Sequence, residues 1–283
     1  MVAHQKKAYI VRSGGPVRNK FNRGSRRVLC ESFDIASLES EALTKLFNET
    51  TSYIQNVRIE MVANGRGHRG QEEHPATTIG LTIQKPTVQF ADSLNRKQRI
   101  EAIAHELGHL LLVYRFGLGV IGRRVPHPGN REDIFEYFMS MRGDWVYLLG
   151  QIANTAHHLV LINYLKEEYG IEDRLHAHLL HQNFCVISND LTRDKESQYA
   201  NGLLAFEYEK FIGRVDRAIN VWHQTEFFWK GYHSAQKYFD KYSFHSIPDP
   251  SSYKEDILSF LEGLGYQKEH FVFFPKPVAH SNG

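Results

Sequence analysis

Apolar and polar positions alternate along this chain with two distinct periods. From Ala36 to Ile54 the apolar marks are Leu38, Leu43, Leu46, Phe47 and Ile54, a spacing that predicts an amphipathic helix. Val57 to Val62 alternates residue by residue and predicts a strand, as do Thr78 to Ile83 and Thr87 to Ala91, split by Gln84-Lys85-Pro86. Asp92 or Ser93 can then cap a helix of about twenty residues, Leu94 to Tyr114. The Gly- and Pro-bearing stretch Phe116 to Asn130 predicts a loop. Helical spacing returns over Arg131 to Arg142 and Asp144 to Tyr169. Ser188 to Gln198 has one apolar residue, Leu191, and predicts a linker. Beyond it the pattern is helical, and Ser252-Tyr-Lys-Glu255 has the form of a capping box opening a last helix that stops near Gly263.

Composition narrows the class. The 283 residues, 42% hydrophobic and 23% charged, exclude a disordered chain and a coiled-coil rod and suffice for a core without staples. Cys30 and Cys185 are the two cysteines, so a disulfide framework and a cysteine-based zinc knuckle are excluded. The apolar run near the N-terminus is four residues long, short for a signal peptide, and no run reaches the roughly 18 residues of a membrane span. These features predict a cytoplasmic protein without membrane contact. Residues 1–30 hold eight Lys or Arg and no acid, leaving 26 of the 34 bases to face all 32 acids. This arm reads as a solvated, flexible tail; nucleic-acid binding is the alternative, although Tyr9 and Phe21 are too few aromatics for a stacking platform. Thirteen aromatics between residues 199 and 246 read as packing between helices.

Sixteen histidines direct attention to metal chemistry. Ala104-His-Glu-Leu-Gly-His109 has the H-E-x-x-H pattern. Residues four apart lie one turn above each other on a helix, so His105 and His109 can reach one ion. Glu106 beside them can take a proton from water on that ion, whose pKa zinc lowers to about 7. Ile100, Ile103, Ala104, Leu107, Leu111 and Tyr114 share a stripe opposite the histidines, which predicts one face on a sheet and the other in a cleft. Gly108 leaves room between the two imidazoles.

The run Arg99-Ile-Glu-Ala-Ile-Ala-His-Glu-Leu-Gly-His-Leu-Leu resembles the active-site helix of the zincin metallopeptidases, and among them the cytoplasmic bacterial and phage proteins of the ImmA/IrrE type. The likeness covers residues 36 to about 166. It implies a zinc-dependent peptide-bond hydrolase acting on a regulatory protein. In that group the third ligand is a Glu on the next helix, which carries over to Glu136, or to Glu132 one turn earlier. The residues themselves offer His158, with Asn154 as an orienting neighbour, and then His157. His158 is preferred, because paired histidines in an apolar helix are hard to explain by packing.

Other signals are weaker. Gly65-Arg-Gly-His-Arg-Gly70 matches a dinucleotide fingerprint but is followed by Gln71-Glu-Glu-His-Pro75, not by an apolar helix, so no cofactor site is expected there. His176, His178 and His181 do not share a helix face and read as solvated or hydrogen-bonded side chains, with a second metal as the alternative. His127 reads as a loop histidine and Cys185 as a core thiol. Tyr164 or His157 could assist as an oxyanion donor.

The expected architecture is α+β: a small twisted β-sheet packed against the H-E-x-x-H helix, with a mainly helical C-terminal region. The expected division is a basic arm over 1–30, a zincin-like domain over 31–187, a linker over 188–198 and a helical region over 199–275. Thr87 to Ala91 would form the sheet edge, where a peptide or protein substrate could add as a strand. The expected function is zinc-dependent proteolysis with Zn2+ on His105, His109 and His158 and with Glu106 as general base and acid. The competing expectations are a non-catalytic metal-binding sensor and a DNA-associated regulator using residues 1–30.

Overall fold

The computed structural model describes residues 30–54, 56–62, 76–79, 86–123, 143–187, 194–215, 225–242 and 247–274. The basic arm to residue 29, the glycine fingerprint, His127, Glu132 and Glu136 lie outside the described residues. Within them the protein is α+β and mostly helical, with seven α-helices, a four-stranded mixed sheet and a two-stranded sheet.

The sheet contains β1 (Cys30–Ser32), β2 (Arg58–Val62), β3 (Ala76–Ile79) and β4 (Thr87–Ala91) in the order β1-β2-β4-β3. β2 and β4 run parallel, with Ile59 opposite Val88, and the outer pairs are antiparallel. Thr87 to Ala91 is therefore an inner strand. The edge next to it is β3, which starts two residues earlier than the sequence pattern suggests. The polar spacing hid that order, because alternation reports the face of a strand and not its neighbours.

The expected helix from Ala36 to Ile54 is broken. Glu39 adopts a left-handed backbone (φ 47°), which ends a 3-10 turn, Ile35–Leu38, and lets Ser40 cap α1 (Glu41–Tyr53). α2 (Arg96–Tyr114) is capped by Asn95, not by Asp92 or Ser93; Asn95 and Gln98 form a reciprocal capping box. Arg99 donates to the carbonyls of Asp92 and Leu94, which ties the start of α2 to the end of β4. Ile103 and Leu107 of α2 share a core with Val88 and Phe90 of the sheet and Leu43 and Leu46 of α1.

The opposite side of α2 is covered as well, where the sequence predicts a cleft. Leu110, Leu112 and Val113 are buried along with the expected stripe, and α3 (Gly143–Tyr169) and α4 (Arg174–Ile187) pack there. A Cβ on Gly108 would lie 2.2 Å from the Leu161 side chain of α3, so the glycine leaves room for that leucine. Within the expected loop after α2, β5 (Val120–Arg123) pairs with β6 (Phe271–Phe274) from the chain's far end. The strand was illegible locally because its partner is about 150 residues away.

The expected linker is part helix. Asp194 caps α5 (Lys195–Phe211), in which Ser197 and Gln198 are buried. α5 packs against α3 and against α6 (Glu226–Phe239). α7 (Pro250–Gly263) begins earlier than expected, with Asp249 as its cap and Pro250 in its first turn. Cys185 is exposed, not a core thiol. Among the described residues no helix is long and apolar enough to cross a membrane.

α5 and α6 meet through glycine. A Cβ on Gly202 would stand 2.2 Å from the backbone oxygen of Phe228, and one on Gly231 would stand 2.5 Å from that of Tyr199. Backbone cannot swing aside as a side chain can, so Gly202→Ala must separate the helices. The expected loss is about 1–3 kcal/mol or more, read as a lower midpoint in urea unfolding. An unchanged midpoint would refute this close approach.

Candidate metal centre

Four elements deliver the polar groups of one buried cluster. α2 brings His105, Glu106 and His109; α3 brings His157 and His158; the turn before α4 and its first residues bring Asp173 and His176; α5 brings Glu207. One ring nitrogen from each of His105, His109 and His158 lies within 4.8 Å of the other two, a group that could hold a metal ion. His105 Nε2 and His109 Nε2 are 3.1 Å apart. Two ligands on a tetrahedral ion with bonds near 2.1 Å are separated by about 3.4 Å, so these imidazoles stand nearly at that spacing.

Their neighbours fix which nitrogen is bare. Asp173 Oδ2 lies 2.6 Å from His105 Nδ1. Burial alone would raise Asp173, but the charge and hydrogen bond of His105, followed by His176, hold it below the usual carboxylate range. It therefore accepts the Nδ1 proton and leaves His105 Nε2 toward the cluster. His157 Nε2 is 2.9 Å from the carbonyl oxygen of Leu118, which can only accept. Burial lowers His157 to about 4, so the ring is neutral and its Nδ1 is a lone pair. That lone pair accepts from His109 Nδ1 at 3.0 Å, leaving His109 Nε2 bare. His158 Nδ1 donates to Glu207 Oε1 at 2.7 Å, which leaves its Nε2. Burial lowers His158 to about 3 despite that carboxylate.

Two bare nitrogens 3.1 Å apart repel unless a proton or cation lies between them. The field of the site supplies the demand. Burial opposes charge on His105, yet Asp173, Glu106 and Glu207 together raise its pKa. Burial and the neighbouring imidazoles push His109 well down. Glu207 is buried, and its ring partners, His158 before His176, outweigh burial to keep it ionised. Among the described residues no Lys or Arg pairs with Asp173, Glu106 or Glu207. Buried charges of this kind persist when paired or when a metal compensates them.

Glu106 accepts a hydrogen bond from Thr78 Oγ1 of β3 at 2.7 Å. Burial raises its pKa, and His105 and Thr78 offset part of that rise. The carboxyl group is thus moved toward the range in which it can exchange a proton near neutrality.

The remaining expectations divide clearly. His157 does not face the cluster as a ligand, since both nitrogens are engaged; it orients His109. Glu207, not Asn154, meets His158. Tyr164 bonds to Arg115 instead of entering the site. Glu136 and Glu132 lie outside the described residues. Sequence reasoning missed Asp173 and Glu207 and read His176 as a solvated or hydrogen-bonded side chain before a second metal. One signal was present: Tyr147, Gln151, Thr155 and His158 form a polar stripe at helical spacing within the mostly apolar first two-thirds of α3. Their partners are Asn201 and Glu207 on α5. Comparison with protein-family models, curated proteins and solved structures finds no match to this chain.

Asp173→Asn tests the orientation of His105. An amide N–H facing Nδ1 would force the other tautomer and place a hydrogen on Nε2. Metal affinity should fall about 10–100-fold, measured by competition with a chromophoric chelator. Undiminished affinity in a folded variant would show that this carboxylate does not set the ring.

Proposed function

We propose that the chain is a zinc-dependent metallopeptidase, with His105, His109 and His158 as the protein ligands and Glu106 as general base and then acid. The observation that carries this reading is the convergence of three imidazoles whose outer nitrogens are each held by a different element, beside a half-buried carboxylate that metal binding does not require. Neutral nitrogen ligands in a three-residue set suit zinc.

A zinc ion bound there supplies acidity to a water molecule and polarises a carbonyl group. The chain supplies the rest. Asp173, His157 and Glu207 hold the three rings in orientation, so little reorganisation accompanies catalysis. Glu106 takes the proton from the attacking water and returns it to the departing amine, so the peptide C–N bond breaks as a C–O bond forms and no proton is lost overall. Thr78 steadies the Glu106 carboxylate through one oxygen and leaves the other for the proton. Among the described residues β3 has no strand on its outer side. An extended peptide lying along β3 would pass close to Thr78 and hence to Glu106.

A non-catalytic metal-binding protein would need the imidazoles but not Glu106, so Glu106→Gln separates the two readings. Zinc per chain should be equal in the two forms by elemental analysis. Hydrolysis of a fluorogenic peptide library should drop about 10²–10⁴-fold in the variant, and chelation should abolish it in the unmutated protein. Equal hydrolysis in both forms would remove Glu106 from the mechanism. Absence of bound metal in either would remove the reading as a whole.

A further inference from the structure

A second group of ligand atoms adjoins the first. His158, His176 and Glu207 also offer atoms within 4.8 Å of one another. Glu207 Oε1 lies 2.7 Å from His158 Nδ1 and 3.2 Å from His176 Nε2. The His176 nitrogen is buried, and at that approach it makes no hydrogen bond. The other carboxylate oxygen, Oε2, is fully engaged, accepting from Thr155 Oγ1 at 2.7 Å and Gln151 Nε2 at 3.2 Å. One oxygen is anchored by α3 while its twin points between two imidazoles, the arrangement of a carboxylate ligand with its supporting shell. The ring centroids of His158 and His176 are 4.3 Å apart at 66°, so the two rings are not stacked face to face.

We propose that the cluster takes a second divalent transition-metal ion, held by His158 Nδ1, His176 Nε2 and Glu207 Oε1, with the His158 ring bridging it to the first. The bridge rests on the proposed first site, whereas the second ligand set stands on its own atoms. On binding, the ion replaces the Nδ1 proton of His158, which leaves to solvent, and the ring becomes an imidazolate shared by two cations. The distances of 2.7 and 3.2 Å open slightly to reach the separation of about 3.4 Å that ligands adopt on a tetrahedral ion. The added charge also neutralises Glu207, which has no Lys or Arg partner among the described residues.

The test is metal stoichiometry of the full chain with Zn2+ and with Co2+, in the unmutated protein, in His176→Ala and His176→Phe, and in His109→Ala. Two ions per chain are expected in the unmutated protein and one in each His176 variant, with the Phe variant preserving ring volume should the Ala variant unfold. His109→Ala should lose one ion and keep the other. In the doubly cobalt-loaded protein the bridge should weaken the EPR signal per cobalt below that of singly loaded His176→Phe. One ion in the unmutated protein and one in the His176 variants would overturn the second site and leave the first intact. Two ions that survive both His176 substitutions would place the second elsewhere. Undiminished EPR intensity per cobalt would overturn the bridge, and no bound ion in the unmutated protein would overturn both sites.

Discussion

Negative charge buried without a basic side chain is the constraint around which this molecule is arranged. Asp173 and Glu207 lie in the interior on different elements, and among the described residues each is met by imidazole and not by Lys or Arg. Imidazole can answer a carboxylate through one nitrogen and still present the other. Each such pairing therefore turns a costly buried charge into an oriented lone pair. The protein needs four elements close together to achieve this, and much of its packing serves that approach.

The glycines and the polar stripe of α3 illustrate how. Gly108 leaves room for the Leu161 side chain between α2 and α3, where His157 meets His109 and His158 meets His105 and His109. Gln151 and Thr155 on α3 hold Glu207 from α5, and Glu101 of α2 accepts the backbone N–H of Leu175 at the start of α4. Asp173 accepts from His176 N through one oxygen and meets His105 through the other. Helix capping and ring orientation are thus done by the same carboxylate, so the start of α4 and the histidine cluster are mechanically one unit. A zinc hydrolase reading uses that rigidity directly, because a preorganised site does little rearranging during reaction.

Local chemistry was legible where a local rule operated. The H-E-x-x-H helix, the strand Thr87–Ala91 and the helix carrying His157 and His158 follow from periodicity alone. Boundaries failed where capping residues competed: Asn95 displaced Asp92 and Ser93, and Asp249 with Pro250 displaced the box at Ser252. The left-handed turn at Glu39 was invisible because a non-glycine residue in that conformation carries no sequence mark. Pairing of β5 with β6, and the covering of both faces of α2, depended on segments far along the chain.

The sequence by itself determined that two imidazoles and a carboxylate share one turn of α2, since helix geometry needs no partner to place residues four apart. It also brought His158 into view, as a polar residue that an apolar helix would not otherwise retain. Only the tertiary structure decided which nitrogen of each ring faces inward, because a tautomer is set by what lies on the ring's far side. Asp173, the carbonyl of Leu118 and Glu207 stand 68, 39 and 49 residues from the rings they meet. No period in a sequence spans such intervals; packing alone joins them.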